Sequence, residues 1–274
     1  MKKIAIIGLG WLGVPLASRL MAQGMTVAGT KTSLDGVDAA KRVGIDCYQL
    51  QLTPELQCDT DDLRELMEGA DVMVILLPPS KVSLSEYIVA IEQLVDSAIN
   101  YKIPRVIFTS STSVYGDVDG VIDEGAPLLG ETASAQALIA VEQWLHDLPN
   151  IRVDVLRLAG LVGEKRHAGR FLAGKQQVKG ANQPVNMVHQ DDVIAAILLL
   201  IQQSNGGHTY NLCAPDHPTR QQFYTQSATT LGLIPPEFAV EENEAEGKTI
   251  DGNRICQEMG FEYEFTHPLY MPMS

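Results

Sequence analysis

The sequence predicts an α/β fold, a doubly wound parallel sheet carrying a small C-terminal lobe. Three observations predict it. The apolar run Ile4–Ile7 passes directly into Gly8-Leu9-Gly10-Trp11-Leu12-Gly13, a strand, tight turn and helix start in one stretch. Strand-length apolar runs then alternate with amphipathic stretches over most of the chain. Finally, 274 residues suit one large α/β domain with an appended lobe.

The opening stretch organises the rest. Gly8 lets the chain turn at the strand end, Gly10 lets backbone N–H groups approach a pyrophosphate, and Gly13 lets the helix lie close to the sheet. Trp11 and Leu12 lie between them, at the helix N-terminus, whose unpaired N–H groups and dipole favour a diphosphate. The helix follows through Leu16 and Leu20 and stops at Gly24. Met25–Thr30 reads as the second strand, at whose end a dinucleotide-binding fold meets the adenosine ribose. No NAD-selecting acid stands there. Thr30, Lys31, Thr32 and Ser33 offer a cation and hydroxyls, which suits a 2′-phosphate and tilts the expected cofactor from NAD towards NADP. Lys31 as a bystander on a solvated loop is the alternative, and Asp35 is a second, slightly late, ribose ligand.

A helical stretch through Val37, Ala40 and Val43, a strand near Tyr48–Leu52 and an acidic capped helix over Asp59–Glu68 come next. Asp71–Leu77 is a strand buried on both faces, and it ends in the turn Leu77-Pro78-Pro79-Ser80 at the carboxyl edge, where cofactors lie in open α/β sheets. A helix over Leu84–Asn100 and the strand Arg105–Thr109 deliver Ser110-Ser111-Thr112-Ser113-Val114-Tyr115-Gly116 to the same edge.

A hydroxyl cluster followed by Val-Tyr-Gly after the fifth strand resembles the extended short-chain dehydrogenase/reductase superfamily, home of nucleotide-sugar epimerases and dehydratases. Val155–Gly163 resembles that group's strand and loop after the catalytic helix. Val185–Val193 resembles its N-x-x-H-x-x-D segment, and Gly207–Leu212 its last sheet strand. The correspondence spans nearly the whole chain and implies a Rossmann-type sheet with an NAD(P) cofactor. The implied division is a dinucleotide-binding domain over 1–155, completed by about 185–214, with a substrate lobe from 156–184 and 215–274.

One part of the superfamily pattern is missing. Its Tyr-x-x-x-Lys pair puts a proton-exchanging phenol and a pKa-lowering cation on one helix face. With Glu142 aligned on the usual glutamate, Ser134 takes the tyrosine position and Leu138 the lysine position. No change of register restores the pair, because no tyrosine lies between Tyr115 and Tyr210 and no lysine between Lys102 and Lys165. The chain is therefore similar to the atypical extended subgroup that lacks the usual active-site residues. Ser111 matches the catalytic serine of the superfamily, and it reads either as a substrate hydrogen-bond donor or as a strand-end cap bonded to backbone. Tyr115 is a candidate surrogate acid; in the superfamily this tyrosine is usually a pocket wall. Asp191 and Asp192 complement a helix dipole, and His189 sits in the connecting turn.

Between Arg157 and Gly180 the acidic chain turns basic: Arg157, Lys165, Arg166, Arg170, Lys175 and Lys179 stand against Glu164. The matching segment of the superfamily lies over the substrate, so Arg166, Arg170 and Lys175 are candidate clamps for a phosphate or carboxylate, with a solvated charge run as the other reading. Beyond Pro215 a helix over Thr219–Leu231, a Pro235-Pro236 break, an acidic linker Glu241–Glu246 and a helix near Gly252–Met259 complete the lobe.

The formal net charge of −14 argues against general nucleic-acid binding. The four cysteines lack CxxC spacing and the six histidines lack HxxxH spacing, so neither a zinc site nor a disulfide framework is expected. No apolar run spans a bilayer or resembles a secretion signal. The expectation is a cytoplasmic monomer or homodimer with an anionic small-molecule substrate, no metal, and no nucleic-acid or membrane partner. Two functions follow: an NAD(P)-dependent enzyme of the epimerase/dehydratase type with reassigned acid/base groups, or a non-catalytic dinucleotide-binding sensor. A hydroxyacid-type dehydrogenase, which Leu77-Pro78-Pro79 also resembles, is a weaker third, because its long all-helical second domain is absent.

Overall fold

The computed structural model describes residues 1–52, 56–79, 83–149, 151–240 and 246–273. In chain order the elements are β1 (Lys3–Ile7), α1 (Gly13–Ala22), β2 (Thr26–Lys31), α2 (Leu34–Arg42), β3 (Asp46–Gln49), α3 (Thr60–Met67), β4 (Val72–Ile75), α4 (Leu84–Asn100) and β5 (Arg105–Ser111). A 3-10 turn over Thr112–Tyr115 leads to β6 (Gly120–Ile122), α5 (Ala133–His146), β7 (Arg152–Leu158), β8 (Gly160–Val162), α6 (Gly169–Leu172), β9 (Met187–His189), α7 (Gln190–Gln202) and β10 (Thr209–Leu212). Then come α8 (Arg220–Thr230), β11 (Lys248–Ile250), α9 (Arg254–Met259) and a last 3-10 turn over Pro268–Tyr270.

Seven strands form one sheet in the order β10-β7-β5-β4-β1-β2-β3. The pairs β1·β2, β1·β4, β2·β3 and β4·β5 are parallel. After β3 the chain crosses back to place β4 beside β1, so the strand order reverses there, and the crevice at such a switch point is where open α/β sheets bind ligands. The expected third strand is found two residues earlier than the sequence indicates, because its ladder is set by Ala28↔Asp46 through Lys31↔Gln49.

The chain divides into two compact units. The first comprises Met1–Val114, Glu131–Leu156 and Ile197–Thr209; the second comprises Tyr115–Gly130, Arg157–Ala196 and Tyr210–Ser274. This differs from the expected division in three places: Tyr115–Gly130, the stretch around 185–196 and Tyr210–Ala214 belong to the second unit. The reason lies in pairing, since β6 lies parallel to β11 and β8 parallel to β9.

The core of the first unit is the doubly covered sheet. Ile4–Ile7 of β1 and Met73–Ile75 of β4 are fully buried, with Leu16 and Leu20 of α1 and Ile91 and Leu94 of α4 packed away from solvent. α4 begins at a capping box in which Ser83 Oγ accepts the Glu86 N–H and the Glu86 carboxylate accepts the Ser83 N–H. In the second unit Val162, Ala168, Phe223 and Met271 form a separate buried cluster. Among the described residues no helix is long and apolar enough to cross a membrane. All four cysteines are free thiols. Glu241–Ala245 of the expected acidic linker, and Ser80 of the turn after β4, lie outside the described residues.

Candidate functional site

The glycine loop sits where β1 ends, and its three glycines answer to different constraints. Gly8 has φ +105°, and a Cβ on it would lie 3.0 Å from Leu77 Cδ2. A Cβ on Gly13 would lie 2.2 Å from Gly8 O and 3.3 Å from Leu76 Cδ1, so the loop closes on itself only without one. At Gly10 nothing lies within 4 Å of the same position. Open space is therefore found at the glycine expected to face a pyrophosphate, and internal contact at the other two. Leu12 forms the N-cap of α1, no side chain caps that first turn, and the Val14 N–H bonds Gly10 O at 3.1 Å. Leu12 is buried and Trp11 half-buried. The arrangement is a backbone cradle ready for an anion.

The end of β2 corrects one expectation. Thr30 is only 2 % exposed, and its Oγ1 accepts the Gly8 N–H at 3.0 Å while its carbonyl accepts the Leu9 N–H at 2.9 Å. Its hydroxyl is turned inward and fixes the loop. Gly29 lets Leu9 settle on the strand, since a Cβ there would come within 2.7 Å of the leucine side chain. An interior strand glycine is a signal of close approach that the sequence reading did not use. Ser33 Oγ is committed to the α2 N-cap through the Gly36 N–H. Lys31, half-buried, remains as the cation of this edge, its stem passing Gly36. Gln49 and Gln51 both donate side-chain N–H groups to Thr32 O, and with Gln57, Cys58, Asp59 and Asp62 they line a polar recess that sequence reasoning missed.

At the ends of β4 and β5 the predicted residues part company. The Leu77 carbonyl accepts the Tyr87 hydroxyl at 2.8 Å, which holds the Leu77-Pro78-Pro79 turn against α4; Pro78 is exposed and Leu77 and Pro79 are half-buried. Ser110 is buried and donates its hydroxyl to the fully buried Glu142 carboxylate of α5, so it ties strand to helix and is not displayed to a cofactor. Ser111 Oγ accepts the Ser113 N–H at 3.1 Å, the cap reading, although its own proton is left to donate. On α5 Ser134 is exposed in the first turn, and Leu138 is buried at 3 % exposure, an apolar side chain where the superfamily has its cation.

The second unit places Tyr115, the candidate surrogate acid, in its core. Tyr115 is fully buried; its hydroxyl donates to Asn211 Oδ1 at 2.7 Å and accepts from Arg157 Nη1 at 2.8 Å. Arg157 also stacks over the ring at 5.1 Å, donates to Glu124 O and is itself buried, so it leaves the basic run and joins the core. Glu124 accepts the Asn211 N–H at 2.7 Å. Burial pushes the Tyr115 phenol up from its ordinary value against the pull of Arg157. Gly116 follows at φ +75°, where a Cβ would strike Leu129 O at 2.4 Å, and Lys248 Nζ donates to the Gly116 carbonyl.

The N-x-x-H-x-x-D residues are engaged with backbone. Asn186 Oδ1 accepts the Ile250 N–H and its Nδ2 donates to Lys248 O, which anchors β11. His189 and Asp192 are both buried and bond backbone. Of the basic segment, Arg166, Arg170 and Lys175 are exposed, and Lys165 pairs with Glu164 at 3.2 Å. Among the described residues no cluster of side chains is suited to a metal ion.

Residues 4–213 match the NAD dependent epimerase/dehydratase family. Protein YeeZ of Escherichia coli (strain K12) is 54% identical over 276 residues, covering 100% of both chains. A short-chain dehydrogenase/reductase superfamily protein from Agrobacterium tumefaciens with bound NAD aligns over 96% of this chain and 92% of that chain, with a TM-score of 0.76 at 18% identity. UDP-glucose 4-epimerase with UDP-glucose from Thermotoga maritima aligns over 96% and 94%, with a TM-score of 0.76 at 17% identity. At those identities the two structures speak for the fold.

Proposed function

The chain belongs to the NAD dependent epimerase/dehydratase family, and we propose that it binds NAD(P) at the Gly8–Gly13 loop and acts on a nucleotide-activated or other anionic small molecule. The observation that carries the first half is the open space at Gly10 above an uncapped helix start, in a loop pinned by Thr30. Backbone N–H groups of this loop would hold the pyrophosphate. A bound nicotinamide supplies hydride acceptance and return. Lys31, at a strand end with no acid, supports NADP over NAD. The exposed Arg166, Arg170 and Lys175 support an anionic substrate.

The acid/base chemistry has to differ from that of the superfamily. With Ser134 exposed, Leu138 apolar and Tyr115 enclosed, hydroxyls remain at the end of β5 on Ser111 and on the exposed Ser113, and Ser111 would donate to a substrate oxygen while a water carries the proton. A serine without an adjacent base is a weak proton donor. A positioned general acid contributes about 10²–10⁴-fold in rate, so turnover of common UDP- and dTDP-sugars should be poor. The same burial of Tyr115 favours a second reading, a dinucleotide-binding sensor without turnover. Titration with NADH and NADPH, followed by product analysis over a panel of nucleotide sugars, tests both. Failure to bind either dinucleotide removes both readings, and tight binding with no turnover leaves the sensor. Turnover that falls in Ser111→Ala at unchanged dinucleotide affinity establishes the enzyme.

A further inference from the structure

The stretch from Phe261 to Met273 is gripped by two buried ionisable side chains. Asp192, 1 % exposed at the start of α7, accepts the Glu264 N–H with Oδ1 at 2.8 Å and the Phe265 N–H with Oδ2 at 3.3 Å. His189, 3 % exposed at the end of β9, accepts the Asp191 N–H with Nδ1 at 3.2 Å, which places its proton on Nε2, 2.9 Å from Pro272 O. Its ring lies 4.1 Å from that of Phe265. Between these two grips the Thr266 carbonyl accepts the Asp216 N–H and the Leu269 carbonyl accepts Gln226 Nε2. Burying a carboxylate is costly unless its acceptors are used, and here both oxygens are spent on holding the 264–265 backbone in one place.

What the stretch supports is specific. Met271, 4 % exposed, enters the cluster that contains Val162, Ala168 and Phe223, and Phe265, Leu269 and Met273 pack against the same cluster. Ala168 and Gly169 are buried, and a Cβ on Gly169 would come 2.2 Å from Ser227 O, so α6 lies directly on α8 with no clearance. The Gly169 N–H is accepted by His167 Nδ1 at 3.0 Å. Arg166 and Arg170 emerge on either side of this buried pair.

We propose that Asp192 and His189 are positioning residues: by fixing the C-terminal stretch under Ala168 they hold Arg166 and Arg170 in the geometry that receives a substrate anion. The proposal rests on the reading of that segment as the anion site. A clasp of this kind acts on the substrate side and leaves the glycine loop alone.

The test uses the full chain, with hydrogen exchange read by mass spectrometry and calorimetric affinities for UDP, as the anionic probe, and for NADH. Asp192→Ala should speed exchange over both 261–273 and 163–172 and weaken UDP about tenfold, about 1.4 kcal/mol, with NADH affinity unchanged. Asp192→Asn keeps an acceptor for the Glu264 N–H and should restore most of both. If Asp192→Ala does not fold, Asp192→Asn and His189→Gln, which keeps a donor for Pro272 O, carry the comparison at smaller amplitude. Fast exchange over 261–273 with full protection over 163–172 and unchanged UDP affinity overturns the proposal. Unchanged UDP affinity in Arg166→Ala and Arg170→Ala overturns the anion-site reading instead, and with it the functional half of the proposal.

Discussion

The Gly8 N–H and the Thr30 hydroxyl meet at 3.0 Å across 22 residues of chain, so the cofactor loop is fixed by the second strand's side chain as well as by its own glycines. Thr30→Val keeps the shape and removes the acceptor. Leaving a buried N–H unpaired costs about 1–3 kcal/mol, so the urea midpoint should fall and dinucleotide affinity should fall with it. Thr30→Ser should recover both, and a Thr30→Val protein with parental affinity would show that the tie is dispensable.

Gly10 and Gly13 should separate by phenotype. A side chain at Gly10 meets no protein atom within 4 Å, so Gly10→Val should fold at near-parental stability and lose dinucleotide binding, as calorimetry can show. Gly13→Ala sets a methyl 2.2 Å from Gly8 O and should destabilise the loop itself. Full NADH and NADPH affinity in a folded Gly10→Val protein would remove the loop from the cofactor site.

Tyr115→Phe should read as a stability mutant. It deletes a fully buried hydroxyl between Asn211 and Arg157, and stranding those partners costs about 1–3 kcal/mol. Chemical denaturation measures the loss directly. A selective loss of turnover at unchanged stability would restore Tyr115 as the proton carrier.

Lys31 should set a modest preference for NADPH over NADH. Paired calorimetric titrations of the parent and Lys31→Ala decide it: the preference should shrink in the variant, while a preference for NADH that survives the substitution excludes Lys31 as the discriminator.

Acid should weaken the fold through histidines held below their ordinary value. Burial is the first cause for both His217, whose Nδ1 lies 3.1 Å from Val185 O, and His167, where Arg170 adds to it. Each is depressed from 6.5, so the unfolded chain binds more protons between 6.5 and the folded values, and stability falls as pH drops through that window. Asp192 and Glu124, raised by burial above 3.8 and 4.5, act with the opposite sign as each takes up its proton. Urea midpoints from neutral pH downward should decline, and His217→Gln should flatten the decline. An unchanged slope in that variant would assign the loss elsewhere.

The sequence by itself determined the parts whose causes are local. A strand running into spaced glycines and an amphipathic helix specifies the cradle, because backbone conformation and dipole are set within a dozen residues. Ser83 and Glu86 write the start of α4 within one turn. The absence of tyrosine between Tyr115 and Tyr210, and of lysine between Lys102 and Lys165, is a fact of composition that no folding can reverse. Only the tertiary structure decided which polar groups are spent inside. Thr30, Ser110 and Tyr115 all look available in the sequence, and each is claimed by a partner 22, 32 or 96 residues away. Periodicity reports that a face is buried; it carries no information about which distant donor or acceptor will meet that face, and a hydroxyl is free or committed according to that meeting alone.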